Sequence, residues 1–136
     1  RRRDGRMSSE RLGYLLVDHG SRRERANALL EEVAALVRSR LGPDSIVEAG
    51  HMEIATPSLA EAFAKCVERG ATKVVVHPFM LAPGRHVSED LPRLAADAAS
   101  AHEGVSFVIA APLGKHDGVI DAVMDRCRAA LVSDQA

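Results

Sequence analysis

Short apolar runs alternate along the chain with longer segments in which apolar residues recur every three or four positions. The runs are of strand length and span 12–17, 46–49, 73–77 and 105–111. The first, third and fourth are β-branched or nearly continuously apolar, as is typical of strands buried on both faces of a sheet. The longer segments predict amphipathic helices over 24–41, 58–69, 88–102 and 117–132. This βαβαβαβα order predicts an α/β fold, a four-stranded parallel sheet with helices on both faces.

Turn-forming and charged residues suggest where the helices begin and end. Gly42 and Pro43 follow the first helix, and Ser58 opens the second. The third helix is predicted to begin near Ser88, with Glu89 and Asp90 in its first turn. The apolar stripes of the second and fourth helices include Cys66 and Cys127, which are therefore both predicted to lie in the core.

Composition narrows the function classes. The chain has 136 residues, 46% hydrophobic, with a net charge of −1, which predicts one domain and argues against nucleic-acid binding through a positive field. No apolar run is long enough to span a membrane. Residues 1–11 hold five Arg and no apolar face, so they are interpreted as a basic disordered arm or a residual transit segment preceding a single domain at 12–133.

Polar residues with useful chemistry follow three of the predicted strands. His19 follows the first strand, Glu53 the second, and His86 closes the long loop after the third. Because ligands of open α/β sheets bind beyond the carboxyl ends of the strands, these residues are predicted to meet in one site. Imidazole and carboxylate groups suit a first-row divalent metal, and a neutral imidazole also accepts a proton near pH 7.

Other residues near the same edge are candidates for binding a substrate. Ser21 is a candidate cap for the first helix. The guanidinium groups near this edge are potential partners for carboxylates, although at least two of the four are expected to form only a solvated rim; they belong to Arg22, Arg23, Arg85 and Arg93. Phe79, Met80 and Leu81 are candidates for an apolar pocket wall. The remaining histidines are interpreted as structural or surface residues; they are His51, His77, His102 and His116.

Four segments together resemble the small, single-domain sirohydrochlorin chelatases, which are class II chelatases related to the cobalt chelatases. The resemblance covers about residues 12–132, and the sequences of the four segments are most similar to those of the plant and algal sirohydrochlorin ferrochelatases. The segments are VDHGSR at 17–22, HMEIATPSLAEAF at 51–63, VVVHPFMLAPGRHVSEDLPRLAADAA at 74–99 and APLGKHDGVID at 111–121. The HGS turn alone is a weak signal, but the segments at this spacing are a strong one.

The resemblance implies a chelatase-like fold, which corresponds to one flavodoxin-like half of the longer chelatases. It also implies that the protein is a lyase that inserts Fe²⁺ into sirohydrochlorin to form sirohaem. It places the family's active-site histidines on His19 and His86 and its acidic residue on Glu53, as metal ligands and proton acceptors. It also implies that two copies pair as a homodimer. For substrate binding, Ser21, Arg22 and Arg85 are expected to orient the carboxylates, and Phe79, Met80 and Leu81 to support the ring.

No cofactor is expected beyond the substrate metal, and no nucleic-acid or membrane partner. Plant members of the family carry a Cys-rich tail with an iron–sulfur cluster; the sequence ends at Ala136 without such a tail, so no cluster is expected. A plastid stroma location is expected if the source is a plant or alga, and a cytoplasmic one otherwise.

Three alternatives remain open from the sequence. The same residues suit the insertion of cobalt or nickel, because affinity for divalent metals rises from Fe²⁺ to Co²⁺ and Ni²⁺. They also suit a carrier that binds metal or tetrapyrrole without turnover. A histidine phosphatase is disfavoured, because Asp18 stands directly before His19 and Gly20, where an acid would repel phosphate.

Overall fold

The computed structural model describes residues 10–135 and confirms the predicted α/β fold. Four parallel strands form one sheet in the order β2-β1-β3-β4. The strands are β1 (Leu12–Asp18), β2 (Ile46–His51), β3 (Lys73–Pro78) and β4 (Ser106–Ile109), and the helices that follow them are α1 (Glu24–Leu41), α2 (Leu59–Glu68), α3 (Arg85–Ser100) and α4 (Asp117–Gln135). Most of the predicted basic arm lies outside the described residues, but Arg11 is tied to the fold by backbone contacts with Thr72.

The larger part of the core lies on the face of the sheet covered by α2 and α3. Leu15 and Val17 of β1 and Val74 and Val76 of β3 point to this face, where they pack with Phe63 and other helix residues. Alternate residues of a strand point to opposite faces, so every second strand residue joins this cluster. Removing this apolar surface from water is the main favourable contribution to folding.

The opposite face of the sheet is covered by α1. Leu16 of β1 and Val47 of β2 pack there against Leu30 and Ala34 of the helix. The helix contacts β1 and β2, and within residues 10–135 it makes no comparable contact with β3 or β4. The half of this face formed by β3 and β4 is therefore left open by α1.

The last helix differs from the sequence-based expectation. Its apolar stripe predicted a helix packed on the sheet, with Cys127 in the core, but in the described part of the chain no residue of α4 is buried and Cys127 is exposed. Cys66, by contrast, is fully buried between α2 and the sheet, as predicted. Amphipathic spacing shows that a helix has an apolar face, and the tertiary structure decides what that face contacts.

The bounds of α3 and β4 also differ from those predicted. Helix α3 begins at Arg85, one turn before the predicted Ser88, with Gly84 as its N-cap. Glu89 and Asp90 therefore lie beyond the first turn of the helix. Strand β4 covers only Ser106–Ile109, which is shorter than the predicted 105–111.

Candidate active site

The loops after β1 and β2 are joined by a continuation of the sheet's hydrogen bonding. Asp18 and His51 are paired in register as the last residues of the two strands. Beyond them, the Met52 amide donates to the Asp18 carbonyl (2.9 Å), and the Glu53 amide donates to the His19 carbonyl (3.0 Å). The backbone therefore holds His19 and Glu53 next to each other at the carboxyl edge of the sheet.

A buried side-chain pair supports this junction. His51 is 1% exposed, and its Nδ1 lies 2.6 Å from Oδ1 of Asp18. The same carboxylate oxygen accepts a hydrogen bond from the amide of Gly20 at 3.0 Å. Asp18 thus connects the end of β2 to the turn that carries His19. His51 has the structural role predicted for it, whereas the sequence reasoning gave no positive role to Asp18.

Glycine is required at position 20 because the two loops approach each other closely there. Gly20 has φ +92°, and a Cβ atom at this position would lie 1.8 Å from the Glu53 carbonyl oxygen. Positive φ is also adopted by Ile54, at +74°, directly after Glu53. The local backbone conformation thus allows the loop bearing His19 to lie against the loop bearing Glu53.

His86 comes to the site from helix α3. It is the second residue of the helix rather than a loop residue, and its side chain is 80% exposed. Its Nε2 atom lies 2.9 Å from Oδ2 of Asp90, one helical turn later. Asp90 is also paired with Arg93 at 3.3 Å. The early start of α3 therefore places His86 on the same helical face as Asp90.

These residues surround one cleft of about 150 Å³. Its polar lining combines the three side chains predicted from the strand ends with the ion pair from α3, and its apolar lining comes from the β2–α2 loop and from α3. The lining residues are His19, Met52, Glu53, His86, Val87, Asp90, Arg93 and Leu94. The structure thus brings His19, Glu53 and His86 together, as predicted from the sequence, and adds Asp90 and three apolar residues that were not among the predicted site residues.

The three predicted ligands share this cleft without forming a ready coordination shell. Within residues 10–135, no three His, Cys, Asp or Glu side chains are positioned together to hold a metal ion. His19 and Glu53 are exposed, as is His86, so each side chain has room to turn. A metal held by all three would therefore require these side chains to move toward one another.

The predicted substrate-binding residues are distributed around the edge. Ser21 and Arg22 line a separate open pocket of about 480 Å³ beside the start of α1. Ser21 does not cap α1: its hydroxyl accepts a hydrogen bond from the Arg23 amide, and its backbone bonds both ways with the side chain of Asn27. Arg85 is 91% exposed and pairs with Glu89 at 3.4 Å.

The predicted apolar wall is divided between different parts of the fold. Phe79 packs against the α1 cluster, Met80 packs against the opposite core cluster, and Leu81 is 61% exposed. The amides of Leu113 and Gly114 bond to the carbonyls of Met80 and Leu81, so the loop after β4 holds this segment. The three residues therefore do not form one apolar surface.

A larger apolar surface adjoins the cleft from another direction. A groove of about 440 Å³ runs between α2 and α3, and it shares Met52 and Leu94 with the cleft. Leu59 and Ala98 also line it. Only the packing of the two helices brings these residues together, because they are far apart in the sequence.

The other histidines have no contact with this cleft. His102 stacks on Phe63, with the ring centroids 5.9 Å apart. His116 accepts a hydrogen bond from the Gly118 amide at the start of α4, at 2.9 Å. His77 is half-buried on β3, and burial lowers its pKa below the ordinary value. Each has a local environment that accounts for it without catalysis.

The fold and the cleft define an open α/β protein with a His- and carboxylate-lined site at the carboxyl edge of a parallel sheet. The CbiX family model matches residues 13–130, which is most of the chain. The chain belongs to the CbiX family.

Relatives and solved structures agree with this assignment. A chloroplastic sirohydrochlorin ferrochelatase of Arabidopsis thaliana is 50% identical over 114 residues, which cover 84% of this chain and 50% of that protein. The chain thus spans half the length of this relative. A sirohydrochlorin cobaltochelatase of Methanococcoides burtonii is 32% identical over 126 residues, covering 87% of this chain and 95% of that protein.

The fold is shared with solved structures of similar proteins. A putative cobalamin biosynthesis CbiX protein from Marinobacter aquaeolei superposes with a TM-score of 0.76 at 27% identity, over 90% of this chain and 98% of that one. The sirohydrochlorin chelatase SirB of Bacillus subtilis, in complex with cobalt, gives a TM-score of 0.74 at 26% identity, over 88% of this chain and 50% of that one.

Proposed function

We propose that this protein is a lyase, a metal chelatase that inserts Fe²⁺ into sirohydrochlorin to form sirohaem. The observation that carries the proposal is the single cleft that contains His19, Glu53 and His86 at the carboxyl edge of the sheet. Family membership and the 50% identity to a sirohydrochlorin ferrochelatase support the choice of reaction and metal.

Insertion requires two chemical events at one place. The ring must lose two pyrrole N–H protons, and the metal ion must arrive with part of its water shell removed. His19 and His86 receive the Fe²⁺ ion and assist proton removal, and Glu53 completes the site as a ligand or proton acceptor. Imidazole and carboxylate groups suit both tasks near pH 7.

The contact between His86 and Asp90 orients the imidazole for metal binding and proton removal. With Nε2 held against the carboxylate at 2.9 Å, the other ring nitrogen, Nδ1, is the one presented to the ring or the metal. In the proposed mechanism, Asp90 therefore accepts a hydrogen bond from Nε2 of His86 and fixes the orientation of its imidazole.

The macrocycle is bound by apolar and cationic groups around the cleft. Met52 and Leu94 support the ring, because they connect the cleft with the apolar groove between α2 and α3. Arg93 is the arginine among the residues that line the cleft, and its guanidinium is a candidate partner for a substrate carboxylate. Arg22 and Arg85, with Ser21, serve carboxylates at the outer edge of the ring.

Cobalt is the second candidate metal, and a specific observation favours it. Relatives matched over nearly their full length are sirohydrochlorin cobaltochelatases, including the one from Methanococcoides burtonii. A site of imidazole and carboxylate ligands binds Co²⁺ at least as tightly as Fe²⁺, and Ni²⁺ more tightly still. We therefore expect all three ions to be inserted in vitro.

The partner and the location form part of the proposal. The functional unit is a homodimer, as the resemblance to the small chelatases implies. A plastid stroma location is supported by the chloroplastic relative from Arabidopsis thaliana. None of the helices in residues 10–135 has the length and apolar character needed to cross a bilayer.

The test is anaerobic absorbance spectroscopy of the purified protein with excess sirohydrochlorin after addition of Fe²⁺ or Co²⁺. His19→Ala and His86→Ala are expected to lower the insertion rate by about 100-fold or more, a loss of the size seen when a general base is removed. His116→Ala is the matched control, because this exposed histidine lies at the start of α4 and away from the cleft.

Each outcome separates the proposal from its alternatives. Turnover above the no-enzyme rate that is lost in the two cleft variants supports the chelatase. Binding of sirohydrochlorin without turnover would identify a carrier instead. Rates for both His19→Ala and His86→Ala that equal the rate of His116→Ala would show that the cleft is not the site of insertion.

A further inference from the structure

The backbone is strained directly after Glu53. Ile54 has φ +74°, and the Ala55 amide donates to the Glu53 carbonyl at 2.8 Å, so these three residues form a γ-turn of the rare, strained type. A positive φ is a marked outlier for a β-branched residue. Backbone strain of this kind persists only where the surrounding structure enforces it, and it is concentrated at ligand-binding and active sites. The turn at Ile54 is therefore a candidate for a functional role.

The strained turn directs two consecutive side chains to different sides of the sheet edge. Glu53 lines the cleft on the α3 side, whereas Ile54 lines the open pocket of about 480 Å³ beside α1. The Ile54 side chain is 64% exposed. A large apolar side chain is thus presented to solvent, at a cost in backbone strain, next to a residue of the proposed insertion site.

The cleft by itself is too small to contain a tetrapyrrole. Its volume is about 150 Å³. Clefts that bury a drug-sized ligand enclose roughly 300–1,000 Å³, and a tetrapyrrole with its carboxylate arms is larger than most such ligands. A ring centred on the cleft must therefore extend over the surfaces on both sides of it.

The two neighbouring surfaces differ in their chemistry. Among the described residues that line the groove between α2 and α3 there is no Lys or Arg, and Asp97 adds a negative charge. The pocket beside α1 contains Arg22 together with two hydroxyl side chains. Glu24 and Glu31 also line this pocket, so Arg22 is the group there that pairs with a substrate carboxylate. The groove thus suits the apolar ring, and the pocket suits a part of the ring that carries a carboxylate.

We propose that Ile54 is a specificity-determining residue that contacts the face of the macrocycle, and that the pocket beside α1 receives the carboxylate-bearing edge of the ring next to it. The ring then lies across the two loops that are held together at His19 and Glu53, with the α2–α3 groove beneath its other half. This inference rests on the proposed function and adds to it the residue that orients the ring on the α1 side.

The test is an absorbance titration of the protein with metal-free sirohydrochlorin. Ile54→Ala is expected to raise the dissociation constant by about 10-fold, because the contact of one side of the isoleucine with the ring is lost. In the insertion assay the change should appear mainly in KM, and Ile54→Val should restore most of the affinity. Leu36→Ala is the matched control, because Leu36 is 68% exposed on α1 and is not among the residues that line the cleft, the groove or the pocket.

A glycine variant separates the strain of the turn from the contact with the ring. Ile54→Gly and Ile54→Ala both lack the isoleucine side chain, but only glycine adopts positive φ without strain. Ile54→Gly should therefore unfold at a higher urea concentration than Ile54→Ala, since the relief of strain exceeds the added entropy of glycine in the unfolded chain. Both variants should bind sirohydrochlorin equally weakly. Equal urea midpoints would overturn the argument from strain.

The salt dependence of binding separates the apolar contact from the ionic one. Arg22→Met keeps a long side chain but removes the charge, so it should raise the dissociation constant by about 10-fold at low salt and make binding less sensitive to salt. Ile54→Ala should keep the salt dependence of the wild type. A wild-type salt dependence in Arg22→Met would overturn the placement of a carboxylate in the pocket beside α1.

Failure of this inference is distinguishable from failure of the proposed function. A wild-type protein that neither binds sirohydrochlorin nor inserts metal would overturn both. Insertion by the wild type with equal affinities for Ile54→Ala and Leu36→Ala would overturn the role of Ile54 alone. A change in the sedimentation of Ile54→Ala at unchanged affinity would place Ile54 between two copies of the chain and would also overturn it.

Discussion

Replacing Gly20 with Ala tests whether the contact between the His19 and Glu53 loops holds the site together. The added Cβ would lie 1.8 Å from the Glu53 carbonyl oxygen, and Cβ contacts below 3.0 Å are essentially never found. The two loops must therefore separate by more than an ångström. Such a shift breaks the hydrogen bond from the Glu53 amide to the His19 carbonyl and the neighbouring one from the Met52 amide to the Asp18 carbonyl.

The expected decrease in the free energy of unfolding follows from a comparison with a second glycine. Gly42 also has positive φ, at +121°, but a Cβ there would meet no atom within 4 Å. Gly42→Ala therefore measures the backbone strain alone, about 1–3 kcal/mol. Gly20→Ala adds the loss of two backbone hydrogen bonds, at about 1 kcal/mol each, so it should lower the free energy of unfolding by about 2 kcal/mol more than Gly42→Ala does.

Urea denaturation of both variants measures this difference, and the insertion assay measures its effect on the site. Gly20→Ala should lower insertion strongly, because it separates His19 from Glu53, whereas Gly42→Ala should leave the rate of the folded protein unchanged. Equal losses of stability in the two variants would refute the reasoning, since they would show that the loops separate without cost.

Three further outcomes follow from the structure. Ser58→Ala removes the side chain that caps α2 in a capping box with Glu61, and should lower the free energy of unfolding by about 1 kcal/mol in urea denaturation. Cys66, whose pKa burial raises to about 12, should resist Ellman's reagent until urea unfolds the chain; fast labelling in the native state would contradict its burial. Burial also lowers the pKa of His77 below its ordinary value of 6.5. As the pH falls past 6.5, the unfolded chain therefore binds more protons than the folded one, and the free energy of unfolding should decrease. Denaturation on either side of that pH, compared with His77→Asn, measures this loss, and an identical pH dependence in the variant would rule out His77 as its source.

The sequence allowed much of the candidate site to be predicted, because the order of strands and helices determines which loops share an edge. His19 and Glu53 follow strands that become neighbours in the sheet, and the structure places them in one cleft with His86. The predicted metal and catalytic roles of these residues remain to be tested by the insertion assay. Their placement rests on a general property of parallel sheets, which is that the carboxyl ends of the strands meet on one side.

The supporting groups were harder to predict because they depend on register and on helix start. Asp18 pairs with His51 only because β1 and β2 align these residues, and no local pattern encodes that alignment. Asp90 reaches His86 because α3 begins at Arg85, capped by Gly84 instead of by the more common Ser signal at position 88. Because the helix begins earlier than predicted, His86 is a helix residue and becomes a neighbour of Asp90 on one helical face.

By itself, the sequence determined the order of the elements, the apolar faces of the helices and the residues that follow each strand, because these depend on local spacing and chain connectivity. The tertiary structure alone decided which faces become buried. Helices α2 and α4 both carry apolar residues at helical spacing, yet α2 is packed into the core whereas α4 has no buried residue in the described chain. Periodicity reports that a helix has an apolar face, but burial depends on whether another surface lies opposite it, and that is a property of the whole fold and its partners.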